Sequence, residues 1–102
     1  MEYTLPVFDI QQTADYRKWF EKLGDRQARA RINARIRRLQ LGNAGDVKPA
    51  GGNVSELRID YGPGYRVYFV RRGLRIIILL AGGDKRTQNA DIKKAQRLAL
   101  VL

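Results

Sequence analysis

Apolar and polar residues alternate with two different periods along the chain, and the change of period separates helical from extended parts. Residues 3–10 mix apolar and β-favouring residues, which predicts a first strand, at a sheet edge because of Pro6. Four apolar residues then recur at the helical spacing i, i+3, i+4 and i+7, namely Tyr16, Trp19, Phe20 and Leu23. Thr13 is a suitable N-cap for this helix, and Gly24 is expected to stop it.

A second helix is predicted from the N-cap residue Asp25 to about Gly42. Its apolar residues share one face: Ala28, Ile32, Ile36 and Leu39. Four arginines point away from that face: Arg26, Arg31, Arg37 and Arg38. Because so few residues separate the two helices, we expect them to form an antiparallel helical hairpin.

A polar, glycine-rich loop at residues 42–53 precedes a change to a period of two, which is typical of half-buried strands. The alternating apolar residues of two strands flank the turn Gly62-Pro63-Gly64: Leu57, Ile59, Val67 and Phe69. After a second turn at Gly73, the apolar run of residues 76–81 predicts a central strand that is covered on both faces. A C-terminal helix at residues 89–102 has its apolar residues on one side: Ile92, Ala95, Ala99 and Leu102.

These elements predict an α+β fold with an N-terminal strand, a helical hairpin, a three-stranded antiparallel meander and a C-terminal helix. The hairpin is expected to cover one face of a mainly antiparallel sheet. A chain of 102 residues is long enough for one modest core, so residues 1–102 are expected to form a single domain.

The strand alternation places two arginines on opposite sides of the glycine-proline-glycine turn. If the apolar residues of both strands face the helices, Arg58 and Arg66 both face the other side, since burying either in the core would be costly. The two guanidinium groups would then lie within cross-strand reach. They could hold an anion together, or they could belong to a solvated face on which Glu56 and Asp60 neutralise them.

Further basic and aromatic residues flank this face. Lys48 lies in the loop before the first meander strand, and Lys85 and Arg86 follow the central strand. Three tyrosines are close by in sequence: Tyr61, Tyr65 and Tyr68. Together these residues predict a basic, aromatic-flanked concavity, which is typical of sites for single-stranded nucleic acid. The alternative for the tyrosines is a role in the core or in the turn.

The net charge of the chain is +10 at pH 7, from 20 lysines and arginines and 10 aspartates and glutamates. A field of this sign attracts polyanions, and nucleic acid is the expected partner ahead of an anionic membrane or an acidic protein. The six arginines of the second helix are either a solvated helix face or a row of phosphate contacts that fixes position without reading sequence.

Composition excludes several chemistries. The chain has no histidine and no cysteine, which rules out disulfides, the usual zinc sites and histidine acid–base pairs. Its carboxylates are dispersed and no phosphate-cradling motif is complete, so neither a metal nor a cofactor is expected. No apolar run is long enough for a membrane span and no signal-peptide pattern is seen, so a cytoplasmic protein is expected.

RNA cleavage remains open to this residue set, because RNA carries its own nucleophile, the 2′-hydroxyl, beside every phosphate. An enzyme can accelerate that attack by orienting the strand and by stabilising the additional charge on the phosphorane. Arginine suits the second task, since it stays charged and binds phosphate through two parallel hydrogen bonds. Proton transfer would then require a lysine, a tyrosine, a carboxylate or water.

Two stretches of the sequence carry a resemblance to a known family: LGNAGDVKPAGGNVSELRIDYGPGYRVYF and LLAGGDKRTQNADIKKA. They closely resemble the RelE/ParE toxin superfamily, in particular its HigB-like addiction module killer branch, over nearly the whole chain. The resemblance implies a RelE-like fold and a type II toxin-antitoxin toxin, a metal-independent endoribonuclease that cuts ribosome-bound mRNA and inhibits translation. It also implies a cognate antitoxin, usually a helix-turn-helix HigA-like protein, and the charge of this chain predicts an acidic binding segment in that partner.

The resemblance identifies Arg58 and Arg66 with the family's phosphate-contacting arginines, and Lys85 with a basic position after the central strand. These three are the candidate catalytic residues. The candidate substrate-binding residues are Lys48, Tyr65, Tyr68, Arg86 and Gln88.

The chain also departs from the family pattern. Ser55 and Glu56 stand where many RelE-like ribonucleases have lysines, and Asp91-Ile92 where others have tyrosine or histidine. The general acid and base are therefore unassigned. The ParE branch shares the fold but inhibits DNA gyrase without cutting RNA, and it is the alternative function.

Overall fold

The computed structural model describes residues 7–102, which form a five-stranded sheet and three α-helices. The strands are β1 (Asp9–Gln12), β2 (Val47–Pro49), β3 (Val54–Ile59), β4 (Tyr65–Arg72) and β5 (Ile76–Asp84), and the helices are α1 (Ala14–Glu21), α2 (Arg26–Gln40) and α3 (Gln88–Leu100). A 3-10 turn, Lys85–Thr87, joins β5 to α3. The α+β class is confirmed, and the architecture is compatible with a RelE-like fold.

The sheet has the strand order β1-β5-β4-β3-β2. Strands β3, β4 and β5 form the predicted antiparallel meander, and β1 pairs with β5 in parallel at the edge. The predicted first strand, residues 3–10, is corrected: β1 runs from Asp9 to Gln12, and residues 3–6 lie outside the described part. The predicted loop at 42–53 is also corrected, because it contains the short strand β2, which pairs with β3.

Both predicted N-caps of the first two helices are confirmed. The Thr13 hydroxyl accepts a hydrogen bond from the Tyr16 amide at 3.0 Å, and the Asp25 carboxylate accepts from the Gln27 and Ala28 amides at 2.9 and 3.1 Å. These side chains satisfy amides that the first turn of a helix leaves unpaired. Helix α1 therefore starts directly after β1.

The sheet is covered on both faces, as predicted for residues 76–81, although these belong to β5, which lies beside the middle strand β4. Helices α1 and α2 pack on one face, where the four alternating apolar residues of β3 and β4 are buried: Leu57, Ile59, Val67 and Phe69. Helix α3 packs on the other face, over Tyr68 and Leu80. The predicted core role of Leu102 is wrong, because α3 ends at Leu100 and Leu102 is exposed, while Leu98 packs instead.

Two glycines at the end of β5 let helices approach both faces of the sheet closely. A Cβ atom on Gly82 would collide with the Trp19 ring of α1, and one on Gly83 would collide with the Asp91 carboxylate of α3. Glycine is therefore required for these contacts. They bring the start of α3, and the turn before it, to the same end of the sheet as the β3–β4 turn. None of the helices described between residues 7 and 102 has the length and apolar content of a membrane span.

Candidate nucleic-acid interface

Arg58 and Arg66 face each other across strands β3 and β4. Their Cα atoms are direct cross-strand partners, in the register that the apolar alternation predicts. Their side chains lie on the face opposite to Leu57 and Val67, and they are 29% and 11% exposed. The arginine pair therefore stands at the margin of the sheet, partly accessible from solvent.

An open groove with a volume of about 430 Å³ lies beside the pair, and we call it the arginine groove. Its lining residues are Asp46, Arg58, Ile59, Asp60, Gly62, Pro63, Gly64, Arg66 and Lys85. The structure thus brings the three candidate catalytic residues, which are 27 positions apart in sequence at most, to one groove. Of the candidate substrate-binding residues, none lines it.

The turn at residues 62–64 shapes one wall of the arginine groove. Gly62 and Gly64 have φ angles of 55° and 80°, which lie in the left-handed region that favours glycine. A Cβ atom on Gly64 would stand 3.6 Å from Arg66 Nη1 and 3.7 Å from Lys85 Cβ. The glycine therefore leaves the space next to these two cations open.

A buried carboxylate lies behind Arg66. Glu56 is only 4% exposed, and its Oε1 atom is 3.8 Å from Arg66 Nε. Its other oxygen accepts a hydrogen bond from Gln88 Nε2 at 2.8 Å. A buried carboxylate needs a counter-charge and hydrogen bonds, and Gln88 supplies one of these bonds; its predicted role in substrate binding stays a prediction. Gln88 thus forms a hydrogen bond with Glu56, and Glu56 forms an ion pair with Arg66.

Arg58 has a carboxylate partner other than the predicted one. Its Nε atom is 3.4 Å from Asp46 Oδ2, whereas Asp60 forms no ion pair with any residue in the described range. The Nε atoms of both Arg58 and Arg66 are buried, and within residues 7–102 neither makes a hydrogen bond. Each Nε–H faces its own carboxylate, so the Nη groups, which make no hydrogen bond within residues 7–102, are the donors that an anion could use.

Arg35 of α2 fixes the backbone beneath Arg58. Its guanidinium donates to the carbonyl oxygens of Arg58 at 2.5 Å, Ala44 at 3.0 Å and Asp46 at 3.4 Å. Burial, and secondly the charge of Arg38, lowers the pKa of Arg35. Sequence reasoning missed this residue among the six arginines of the helix. The spacing of Arg35 in the sequence could have identified it, because it lies three positions after Ile32 and four before Leu39 and therefore beside the apolar face of the helix.

Two of the predicted substrate-binding residues are tyrosines, of which Tyr68 lies in the core and Tyr65 packs against it. Tyr68 is 0% exposed beneath α3, so no base can stack on it from solvent, which corrects its predicted role. Burial first, and the charge of Glu56 second, raises the pKa of Tyr68. Its hydroxyl lies near Glu56, but the geometry gives it no hydrogen bond within the described residues. Tyr65 packs edge-on against Trp19, with ring centroids 6.3 Å apart, on the sheet face opposite to the arginines.

The other two candidates flank the groove without lining it. Lys48 is exposed on β2, and its Cα partner is Glu56, so it lies on the arginine face of the sheet. Arg86 is exposed and paired with Asp84, with 2.9 Å between Nη2 and Oδ2. This contact raises the pKa of Arg86 and lowers that of Asp84. Both cations contribute to the field around the arginine groove.

Known proteins are similar to most of this chain. Residues 18–99 match the family model described as "Phage derived protein Gp49-like (DUF891)", a range that contains the whole arginine groove. An uncharacterized protein of Haemophilus influenzae is 51% identical over 93 residues, which cover 91% of this chain and 94% of that protein.

Proposed function

Because the chain belongs to the phage-derived Gp49-like family, a RelE/HigB-type toxin family, we propose that it is a toxin that cuts ribosome-bound mRNA and so inhibits translation. The family is associated with toxin endoribonucleases, and a toxin of this kind has an antitoxin partner. The HigB-like assignment, the ribosome as the place of cleavage and action in the cytoplasm are parts of the proposal.

The observation that carries the proposal is the convergence of Arg58, Arg66 and Lys85 on one open groove. The Nη groups of Arg58 and Arg66 make no hydrogen bond within residues 7–102, so they are available to an anion in the groove. Arginine binds phosphate in a bidentate manner, and donors set in place before the reaction stabilise charge that develops in the transition state. The groove therefore suits the scissile phosphate of an RNA strand.

In the proposed reaction the 2′-oxygen attacks the adjacent phosphorus, and the bond from phosphorus to the 5′-oxygen breaks. The products are a 2′,3′-cyclic phosphate and a 5′-hydroxyl end. Arg58 and Arg66 stabilise the additional negative charge of the phosphorane, and the groove walls orient the strand. The proton of the 2′-hydroxyl must leave, and the departing 5′-oxygen must gain one.

The groove limits the groups that could move these protons. Tyr68 is buried and Glu56 lies behind Arg66, so neither reaches a substrate directly. The titratable groups that line the groove besides the arginines are Asp46, Asp60 and Lys85. A carboxylate or water accepts the 2′-hydroxyl proton, and the Lys85 ammonium or water protonates the leaving oxygen.

Growth arrest with pulse labelling tests the function. Expression of the chain without an antitoxin should stop incorporation of labelled amino acids within minutes, and primer extension should show new 5′ ends within translated messages. Lys85→Ala should weaken both effects, whereas Lys93→Ala, an exposed α3 position outside the groove, should not. Early accumulation of cleaved gyrase–DNA complexes with intact message would instead identify a ParE-type gyrase inhibitor.

A further inference from the structure

A second groove adjoins the arginine groove on the side of α2. It has a volume of about 290 Å³, and we call it the helix groove. Its lining residues are Arg31, Ala34, Arg35, Arg38, Ile59 and Asp60. Three arginines and a single carboxylate line it, so it is a strongly cationic surface, and the proposed chemistry uses none of these arginines.

Two of its arginines have guanidinium groups that form no polar contact with the part of the chain that the structure describes. Arg35 is committed to backbone carbonyls, as described above. Within residues 7–102, by contrast, the side chains of Arg31 and Arg38 make no hydrogen bond and no ion pair. Both are exposed, and they are the groups of this groove that are available to an anion.

The position of Arg31 is fixed by the β3–β4 turn. Its guanidinium lies over the Tyr61 ring, 4.7 Å from the ring centroid. The Tyr61 hydroxyl in turn donates to the N-cap Asp25 at 2.9 Å, which ties the turn to the start of α2. A cation stacked on an aromatic ring is held in place while its edge remains free to donate hydrogen bonds.

The two grooves adjoin at residues 59 and 60, because Ile59 and Asp60 line both of them. Arg38 extends the cationic surface away from this junction, towards Gly45, where a Cβ atom would stand 3.5 Å from Arg38 Nη2. A single strand whose reacting phosphate lies in the arginine groove would therefore pass Asp60 and reach Arg31 and Arg38. The carboxylate at the junction repels phosphate, so it separates two phosphate-binding positions rather than adding a third.

We propose that the helix groove binds phosphates of the same RNA strand, next to the segment held in the arginine groove. This inference rests on the proposed function and extends it, since it assigns Arg31 and Arg38 to phosphate binding and Arg35 to the backbone. Phosphate contacts of this kind fix the register of a strand without reading its sequence.

The salt dependence of binding to RNA of two lengths tests the inference. The probes are 2′-O-methyl RNA 4-mers and 10-mers, which lack the attacking hydroxyl, and binding to the purified full chain is followed by fluorescence anisotropy in increasing KCl. Each phosphate contact with single-stranded RNA contributes about 0.7 to the slope of log K against log salt. The variant Arg31→Ala/Arg38→Ala should therefore lose about 1.4 from the 10-mer slope and leave the 4-mer slope unchanged.

The matched control is Arg26→Ala/Arg37→Ala, which removes two exposed arginines of the same helix that do not line the groove. It should lower the 10-mer slope much less. The inference is overturned if the control and test variants lower the salt slope of 10-mer binding by the same amount. It is also overturned if the test variant weakens binding of the 4-mer and the 10-mer equally, because either result means that only the general field of the protein acts. Circular dichroism confirms that each variant is folded.

A third variant separates this inference from the proposed function. Arg58→Ala/Lys85→Ala should weaken binding of the 4-mer. If it does not, the arginine groove is not the RNA site and the proposed function fails. If the salt slope of 10-mer binding still depends on Arg31 and Arg38 in that case, the helix groove is supported as an RNA site in its own right. If the slope depends on neither arginine, the inference about the helix groove is overturned as well.

Discussion

Arg58 and Arg66 are direct cross-strand partners, yet each guanidinium lies against a carboxylate of its own. Asp46 is 3.4 Å from Arg58, and Glu56 is 3.8 Å from Arg66. Like charges directly opposite each other destabilise a sheet, and the two carboxylates remove that conflict. The partners differ, because Asp46 is well exposed whereas Glu56 is buried. The two arginines should therefore respond differently to substitution.

Arg66→Ala should destabilise the fold, although Arg66 lies off the apolar faces of the core. The substitution leaves Glu56 buried with Gln88 as its remaining partner, and breaking a buried ion pair costs roughly 3 kcal/mol. Urea unfolding measures this loss. The double variant Glu56→Gln/Arg66→Ala should recover most of it, and an Arg66→Ala variant as stable as the parent would contradict the buried pairing.

The same double variant tests the proposed chemical role of Arg66. Relative to Glu56→Gln alone, it should cut ribosome-bound mRNA about 100-fold to 1,000-fold more slowly, as expected when one preorganised donor to the developing charge is removed. Arg66→Lys should not restore the full rate, because a point charge cannot make two parallel contacts. A parental rate in the folded double variant would mean that the arginine pair is only a solvated face.

Arg35→Lys should slow cleavage without weakening binding of the ribosome-bound message. A lysine keeps the charge but cannot span the carbonyls of Arg58, Ala44 and Asp46, so Arg58 loses its fixed position. A misplacement of about 1 Å can cost roughly 100-fold in rate. The split between kcat and KM is the measurement: a rise in KM alone, with kcat unchanged, would refute a positioning role.

Local patterns predicted much of the fold, because the relevant contacts are close in sequence. The N-caps Thr13 and Asp25 act on amides two or three residues away. The register of Arg58 and Arg66 follows from a tight turn and a buried face, since a slip of one residue would have moved the arginines into the core.

The remaining errors concern contacts between distant residues. Strand β2 has only three residues, which are too few to show a strand pattern. It is a strand because it pairs with β3. Tyr68 is buried because α3 crosses its face, and no local pattern shows which face α3 covers. The contact of Gln88 with Glu56 could not be predicted from a local pattern either, because the two residues are 32 positions apart in sequence. The strand pattern predicted that Arg58 and Arg66 share one face of the sheet, but it did not predict the residues that they contact.

Gly83→Ala should displace the start of α3, which lies next to the arginine groove. The new Cβ atom would collide with the Asp91 carboxylate and approach the Thr87 hydroxyl, which forces the start of α3 away from β5. Overpacking of this kind costs roughly 1–3 kcal/mol, and cleavage should fall as Lys85 and Gln88 move. Gly24→Ala is the matched control, since nothing lies within 4 Å of its Cβ position. Equal stability of the two variants by denaturant unfolding would contradict this close packing.

Association with the antitoxin should slow as salt rises. The net charge of +10 predicts an acidic binding segment in that partner, and attraction between exposed charges is screened over about 10 Å at 0.1 M salt. Stopped-flow association rates with the purified antitoxin, between low and physiological salt, are the measurement. A rate that does not depend on salt would exclude electrostatic recruitment.

The contact between Asp25 and Tyr61 should make stability depend on pH at both ends of the range. The Ala28 amide, and next the Tyr61 hydroxyl, lowers the pKa of Asp25 below its ordinary value of 3.8, so this stabilisation is present above pH 3.8 and is lost as the pH falls through the folded pKa. The hydrogen bond to Asp25 raises the pKa of Tyr61 above 10.0, so its contribution is present below pH 10.0 and is lost as the pH rises. Asp25→Asn, which preserves a helix cap, should flatten the acidic limb of the free energy of unfolding, and Tyr61→Phe should flatten the alkaline limb. If the free energy of unfolding of both variants changes with pH as steeply as that of the parent, this contact does not stabilise the fold.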